Sequence, residues 1–367
     1  MPETIESRAP YGAKMPAVTV VVGNYNQAPF VEAAIRSVAD QTYGAFQCIV
    51  VDDVSTDHSV ARIRSCLDDL EDSRFRLIEH ERNAGQMASM LTGSDADDAP
   101  FVAFLDGDDV WHPAFLECHV RAHLNPSGMA AISCSDMVLI DENDVMWAGG
   151  YPSFRRHDPR SKPPPGADRR LPEGAEPGSP NPFLAVEGEG EETLVFVKPG
   201  SHGWIWSATS AMMFRRGFID TMRPDNTDDI RICADNYWAN LAHLVGGTVL
   251  LRRALGNYRV HHNNSWASRL CFGDRSALGW ADPSVDRRIH EAIARQICTK
   301  FETLSATIHP PYLVRSLIAF LGVHQARKLC DRDSGIRDVL GEHLAARKGT
   351  AKPKRPIARL LASLRGR

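Results

Sequence analysis

Over its first 105 residues the chain alternates short, dense apolar runs with polar breaks. Ala17 to Val22 is an apolar, β-branched run without polar alternation, the pattern of a strand covered on both faces. Gly23 and Asn24 break it. Pro29 then opens a segment in which Phe30, Val31, Ala34, Ile35 and Val38 share one helical face. Phe46 to Val51 repeats the strand pattern and stops at Asp52 and Asp53. Ser59 to Leu70 predicts a helix, Phe75 to Glu79 a strand, Gln86 to Ser94 a helix, and Pro100 to Leu105 a fourth strand. Strands alternating with helices predict a wound, mostly parallel α/β sheet with flanking helices. Ligands of such sheets bind at the carboxyl ends of the strands. Three of those ends are polar here: Gly23 to Tyr25, Asp52 with Asp53, and Asp106 to Asp109.

The pattern then changes. Tyr151 to Gly200 holds ten of the 23 prolines among many Gly, Glu and Arg, which predicts a long loop without a core of its own. Trp204 to Phe214 reads as a strand, Ala234 to Val245 as a helix and Thr248 to Leu251 as a strand. From about Asp282 the pattern is helical, predicting a C-terminal helical subdomain over 282–347.

Composition adds three restrictions. The net charge of −4 averages two unlike parts: from Arg347 onward there are eight Lys or Arg and no acid, which leaves a body near −12. An acidic body excludes nucleic acid as the partner, because phosphate backbones need a basic face. The eight cysteines form no C-x-x-C pair and read as buried free thiols rather than a zinc site. No apolar stretch reaches 18 residues, and Met1 to Pro16 lacks the apolar segment of a secretory signal, which predicts a cytoplasmic protein.

The segment Phe101 to Trp111 reads FVAFLDGDDVW and delivers Asp106, Asp108 and Asp109 to the exposed end of a buried strand. Three carboxylates within four residues repel one another unless water or a cation lies between them. Mg²⁺ and Mn²⁺ take oxygen ligands and bridge carboxylates to substrate phosphates, so one of these ions is the expected cofactor. A solvated acidic turn is the alternative.

Five stretches together resemble the family 2 glycosyltransferases, whose fold is the A-type nucleotide-sugar-binding fold. They are VTVVVGNYNQ (Val18 to Gln27), SVADQTY (Ser37 to Tyr43), IVVDDVSTD (Ile49 to Asp57), Asn83 to Gly85, and FLDGDDVWHP (Phe104 to Pro113). The resemblance implies transfer of a sugar from a nucleotide donor, usually with inversion and a divalent metal. By the same resemblance Tyr25 lies against the base of the nucleotide, Gly23 and Asn24 shape that end, and Asp53 accepts a hydrogen bond from the base. Asn83 and Gln86 join the nucleotide-sugar-binding set. Asp106 and Asp108 form the D-x-D motif for ribose and metal, with Asp109 as helper or alternative ligand. Val54 departs from the small polar residue usual after the Asp pair.

ICADNYWANLAHLVG, Ile232 to Gly246, resembles the helix that carries the family's catalytic base. This makes Asp235 the candidate, with Asp228 or Asp229 as the alternatives, since the usual Glu before it is Ala234. A carboxylate there can take the proton of an attacking sugar hydroxyl. YRVHHNN, Tyr258 to Asn264, resembles the family's Y-R-x-H-x-x-N stretch. It places Arg259 on the pyrophosphate and His261 on the metal or a phosphate, with His262 as the other histidine. Trp204 and Trp206 alternate along the expected strand and are the candidate acceptor-stacking residues.

The expected catalytic domain is 15–265, with a nucleotide-sugar half (1–125), the Pro-rich loop (151–200) and an acceptor half (201–265). The donor is a nucleotide sugar, UDP-linked by family habit, and the acceptor a glycan, a lipid-linked sugar or a protein. A nicotinamide dehydrogenase is disfavoured because GNYNQ lacks the glycine fingerprint, and a P-loop ATPase because its motif is missing. A nucleotidyltransferase, or a non-catalytic sugar-binding protein of this fold, are the remaining alternatives. In the tail, 348–367, Ile357, Leu360, Leu361 and Leu364 make one apolar helical face flanked by Arg359 and Arg365, a segment suited to peripheral contact with an anionic membrane.

Overall fold

The computed structural model describes residues 13–126, 130–151, 194–199, 204–262, 264 and 283–346. Most of the Pro-rich stretch and the whole basic tail lie outside them. Contacts divide the chain into two compact units, Met1–Ile289 and His290–Arg367.

The first unit is built on a mixed ten-stranded sheet. Its amino-terminal part follows the expected order: β1 (Val18–Asn24), α1 (Val31–Ala39), β2 (Phe46–Asp52), α2 (Ser59–Leu70), β3 (Phe75–Glu79), α3 (Gln86–Asp95) and β4 (Phe101–Asp106). β3, β2, β1 and β4 lie side by side, all parallel. Val18, Val20, Val21 and Val22 of β1 are fully buried, which is why the run shows no alternation. α1 buries Val31, Ala34, Ile35 and Val38 as its spacing predicts. α3 lies so close to β1 that a Cβ on Gly93 would sit 2.3 Å from Val21 Cγ1.

The remaining elements are β5 (Val110–Trp111), α4 (Phe115–Leu124), β6 (Ile132–Ile140), β7 (Met146–Ala148), β8 (Leu194–Val197), β9 (Met212–Arg215), α5 (Arg216–Thr221), α6 (Ala234–Gly246) and β10 (Thr248–Arg259). β9 runs antiparallel to both β4 and β6 and joins the two parallel parts of the sheet. β10 pairs with β6 in parallel, with β8 along its first half and with β5 near its end. The strand expected over 204–214 is shorter: the chain is irregular from Trp204, makes a 3₁₀ turn at Thr209–Ala211, and enters the sheet only at Met212.

α7 (Pro283–Thr299) begins in the first unit and ends in the second. The second unit continues with α8 (Phe301–Ser305), α9 (Pro310–Leu321), α10 (Val323–Arg332) and α11 (Ser334–Ala346). Ile293, Ile297, Leu313, Leu317, Leu329 and Leu340 are buried there. No described helix is long and apolar enough to cross a membrane.

Candidate functional site

β1 lies between β2 and β4, in a register that sets Asn24 beside Asp52 and Gly23 beside Asp106. Three polar strand ends are thereby gathered at one edge. Asn24 is buried and donates its amide to Asp52 Oδ2 at 2.7 Å and to Ser55 Oγ at 3.1 Å. It shapes the site from within rather than from its surface. Gly107 N–H donates to the Gly23 carbonyl, and a Cβ on Gly107 would meet Asn24 Oδ1 at 3.0 Å. A side chain between the aspartates of the D-x-D stretch would therefore press tightly on β1. Tyr25 stands half-exposed at the rim.

Asp53 is almost fully buried, and its carboxylate is engaged within the protein. Its oxygens accept the Ala84 and Gly85 amides, each at 2.7 Å, and Oδ1 also meets His80 Nδ1 at 2.8 Å. Asn83 donates its side-chain amide to the Asp53 carbonyl. The observed work of Asp53 and Asn83 is to hold the loop before α3. Val54, next in the chain, adopts φ 65°, in the left-handed region that a β-branched residue rarely enters.

Asp106 is half-buried. Burial and the neighbouring Asp108 push its carboxyl up to about 7, with Asp235 adding to the effect and the Gln86 amide opposing it. Asp109 is wholly buried. Burial and the charges of Asp108 and Asp106 push it well up, only partly offset by Ser210 and by the Arg259 amide that its Oδ1 accepts at 2.9 Å. Asp108 Oδ2 receives the Gln27 amide at 3.3 Å and lies 3.0 Å from His261 Nε2. Two of the three residues expected at a metal, Asp108 and His261, are thus in direct contact, and His262 is exposed.

Asp235 sits in the first turn of α6, half-buried. Burial raises its carboxyl to about 6, Asp286 adds to the rise, and the Asn236 amide opposes it. The residue before the helix, Cys233, takes φ 62°, and Arg231 reaches back to Asn83. Gln86 donates to Asp106 Oδ1 at 3.0 Å and accepts the Ala234 amide at 3.0 Å. Of the two alternative bases, Asp228 is exposed and paired with Arg231 at 3.5 Å, and Asp229 is half-buried.

Burial sets two of the expected site residues inside the protein. Arg259 is engaged by protein partners. It is 2% exposed, donates to the carbonyls of Asp108 and Asp141, pairs with Asp144 at 2.8 Å, and lies over the Phe30 ring. Trp206 offers no face to a sugar: it is 1% exposed and packs edge-on against His243 and Trp204, with its Nε1–H on Thr248 Oγ1. The pair fails to share a strand face because no strand forms there. Trp204 remains half-buried.

Residues 19–169 match the family described as glycosyl transferase family 2. This region, 151 of the chain's 367 residues, is similar to a family 2 glycosyltransferase domain. An uncharacterized glycosyltransferase of Nostoc sp. is 26% identical over 253 residues, 68% of this chain and 67% of the relative. The putative teichuronic acid biosynthesis glycosyltransferase TuaG of Bacillus subtilis is 34% identical over 104 residues, 28% of this chain and 40% of the relative. An Escherichia coli relative, UDP-Glc:alpha-D-GlcNAc-diphosphoundecaprenol beta-1,3-glucosyltransferase WfgD, is 31% identical over 107 residues, 29% of this chain and 41% of the relative. The alignments thus span about two fifths of the latter two proteins. Residues 1–349 of S. aureus TarS, crystallised with UDP, share the fold with a TM-score of 0.54 at 14% identity, covering 90% of this chain and 82% of that one. The glycosyltransferase fold is therefore A-type, and the polar edge described above is its strand-end face.

Proposed function

We propose that this glycosyltransferase moves a sugar, with inversion, from a nucleoside-diphosphate donor to a hydroxyl of a glycan, lipid-linked or protein acceptor in surface polysaccharide or glycoconjugate synthesis. The observation that carries this reading is the convergence of the β4 carboxylates and Asp235 on one edge of the sheet, where Gln86 bridges Asp106 and the Ala234 amide next to Asp235. In the step, the acceptor oxygen forms a bond to the anomeric carbon. The bond from that carbon to the diphosphate oxygen breaks, and Asp235 takes the hydroxyl proton. A base raised to about 6 is largely ionised at neutral pH and still basic enough for the transfer.

Asp106, Asp108 and His261 supply oxygen and nitrogen donors suited to Mn²⁺ or Mg²⁺. No three described His, Cys, Asp and Glu side chains form a ready-made cage. That fits an ion held by one or two protein ligands and completed by donor phosphates and water. Such an ion supplies charge to offset the departing diphosphate. The name of the E. coli relative specifies a UDP-sugar donor and a diphosphoundecaprenol-linked acceptor, which supports a uridine donor and a lipid-linked acceptor here. A chain working on such acceptors would act at the cytoplasmic membrane surface, with residues 15–265 as catalytic domain, 282–347 as helical subdomain and the 348–367 tail as membrane contact.

The test is release of nucleoside diphosphate from a panel of nucleotide sugars with Mn²⁺, using undecaprenyl-diphosphate-linked sugars as acceptors. Asp235→Asn is expected to keep donor binding and lose transfer. Asp108→Asn is expected to lose metal-dependent nucleotide binding. Normal turnover by Asp235→Asn would overturn the assignment of the base.

A further inference from the structure

Gln86 was expected to touch the donor, yet both ends of its side-chain amide are engaged inside the protein. The Ala234 N–H can only donate, so Oε1 must face it; Nε2 then faces Asp106 Oδ1, and the two contacts are each 3.0 Å. The amide orientation is therefore dictated by chemistry. A weaker contact from Nε2 reaches Thr209 Oγ1 at 3.5 Å.

The backbone around Gln86 is fixed to the same neighbour. Its own N–H donates to the Arg231 carbonyl at 2.8 Å. The preceding Gly85 has φ 90°, and a Cβ there would sit 2.6 Å from that carbonyl, so only glycine permits the approach. Arg231 in turn donates to the Asn83 carbonyl. The loop before α3 and the segment before α6 are locked together, although Gln86 and Ala234 are 148 residues apart in the chain.

We propose that Gln86 is a positioning residue that ties the head of the helix bearing Asp235 to the D-x-D strand through Asp106, and so fixes the base relative to the donor site. This rests on the reading of Asp235 as base and Asp106 as part of the donor site. Ala234 is the residue next to Asp235, so the link acts at the first turn of α6, where a shift moves the carboxylate directly. A misplacement of about 1 Å is enough to cost roughly a hundredfold in rate.

Two variants separate the contacts. Gln86→Met removes both. Gln86→Glu keeps an acceptor for the Ala234 amide but sets a carboxylate against Asp106. For Gln86→Met the expected outcome is a fall in kcat of about a hundredfold, with donor KM and the Kd of nucleoside diphosphate nearly unchanged and faster hydrogen exchange at the Ala234 amide. For Gln86→Glu, exchange at Ala234 stays slow and kcat still falls. A rise in donor KM with kcat intact would make Gln86 a donor ligand and overturn the proposal. Wild-type kcat in Gln86→Glu would overturn the Asp106 part of it. If the wild-type protein transfers no sugar from any donor, the proposed function fails. Exchange at Ala234 needs no substrate, and unchanged exchange in Gln86→Met would then overturn the link itself.

Discussion

Asp108 and His261 are 153 residues apart in the chain and 3.0 Å apart in the fold, carboxylate Oδ2 to imidazole Nε2. The imidazole is backed by the Phe30 ring at 5.0 Å, and Phe30 also lies beneath the Arg259 guanidinium. Asp108 is thus met by an imidazole whose ring is already held in place.

His261→Ala is expected to weaken Mn²⁺-dependent binding of nucleoside diphosphate by about tenfold or more. Binding without metal should stay as it is. Calorimetry with and without Mn²⁺ reads the difference, and an equal loss in both conditions would remove His261 from the metal site.

Asp235 has a carboxyl raised to about 6 by burial and by Asp286. A base works only when ionised, so kcat should fall about tenfold per pH unit below that value. Removing the Asp286 charge makes ionisation of Asp235 easier. The acid limb of the kcat profile for Asp286→Asn should therefore move to lower pH; a shift upward would contradict the assigned cause.

Val54 holds φ 65° at a cost of about 1–2 kcal/mol for a residue with a Cβ. Asparagine tolerates this region and glycine adopts it freely, though glycine returns part of the gain as unfolded-state entropy. Val54→Asn and Val54→Gly should each raise stability by about 1 kcal/mol, measured by urea unfolding. An unchanged midpoint would mean that the isopropyl group offsets its own backbone strain.

A second buried network lies between α4 and β6. His119 Nδ1 is 2.7 Å from Ser133 Oγ, which lies 2.9 Å from His123 Nε2. Burial holds both imidazoles neutral: His123 is lowered to about 3, with the Arg215 charge contributing, and His119 is lowered well below its usual value. The unfolded chain binds protons below about 6.5 that the folded chain refuses, so each histidine removes stability as pH falls, by about 1.4 kcal/mol per unit. Asp106, Asp109 and Asp235 are raised, and act in the opposite sense over the same range. The histidine part is therefore the difference in slope between wild type and His119→Gln/His123→Gln between pH 6.5 and 4.5. The double variant should lose less stability on acidification; parallel slopes would contradict this.

β1, β2 and β4 were legible because each is a dense apolar run closed by a polar turn, and β3 because its short run lies between two helical patterns. Ser59–Leu70 and Phe75–Glu79 have the observed limits. β6, nine buried residues from Ile132 to Ile140, was not read: Ser133, Ser135 and Asp136 interrupt its apolar run although all are buried. β10 was read only as far as Leu251. Arg252 and Arg253 follow, at an irregularity in the pairing with β6, and they end the apolar pattern without ending the strand. In the site, the motifs picked out side chains that the fold gathers at one edge, Asp106, Asp108 and His261 among them. They could not show which polar groups are consumed internally. Arg259, Asp53 and Gln86 find their partners on other elements, and sequence spacing carries no trace of such partners.

The contacts that join Asp108 to His261 and Asp109 to the Arg259 amide also set a time order for biogenesis. β1 to β4 can pair soon after they leave the ribosome, but the 153 residues from Asp108 to His261 take roughly 8–30 s to make at about 5–20 residues per second. Through that interval the nascent chain carries the four-stranded parallel part of the sheet, whose acidic edge still lacks its last strand. The fold's first half is ready early, and the centre exists only once β10 has been delivered.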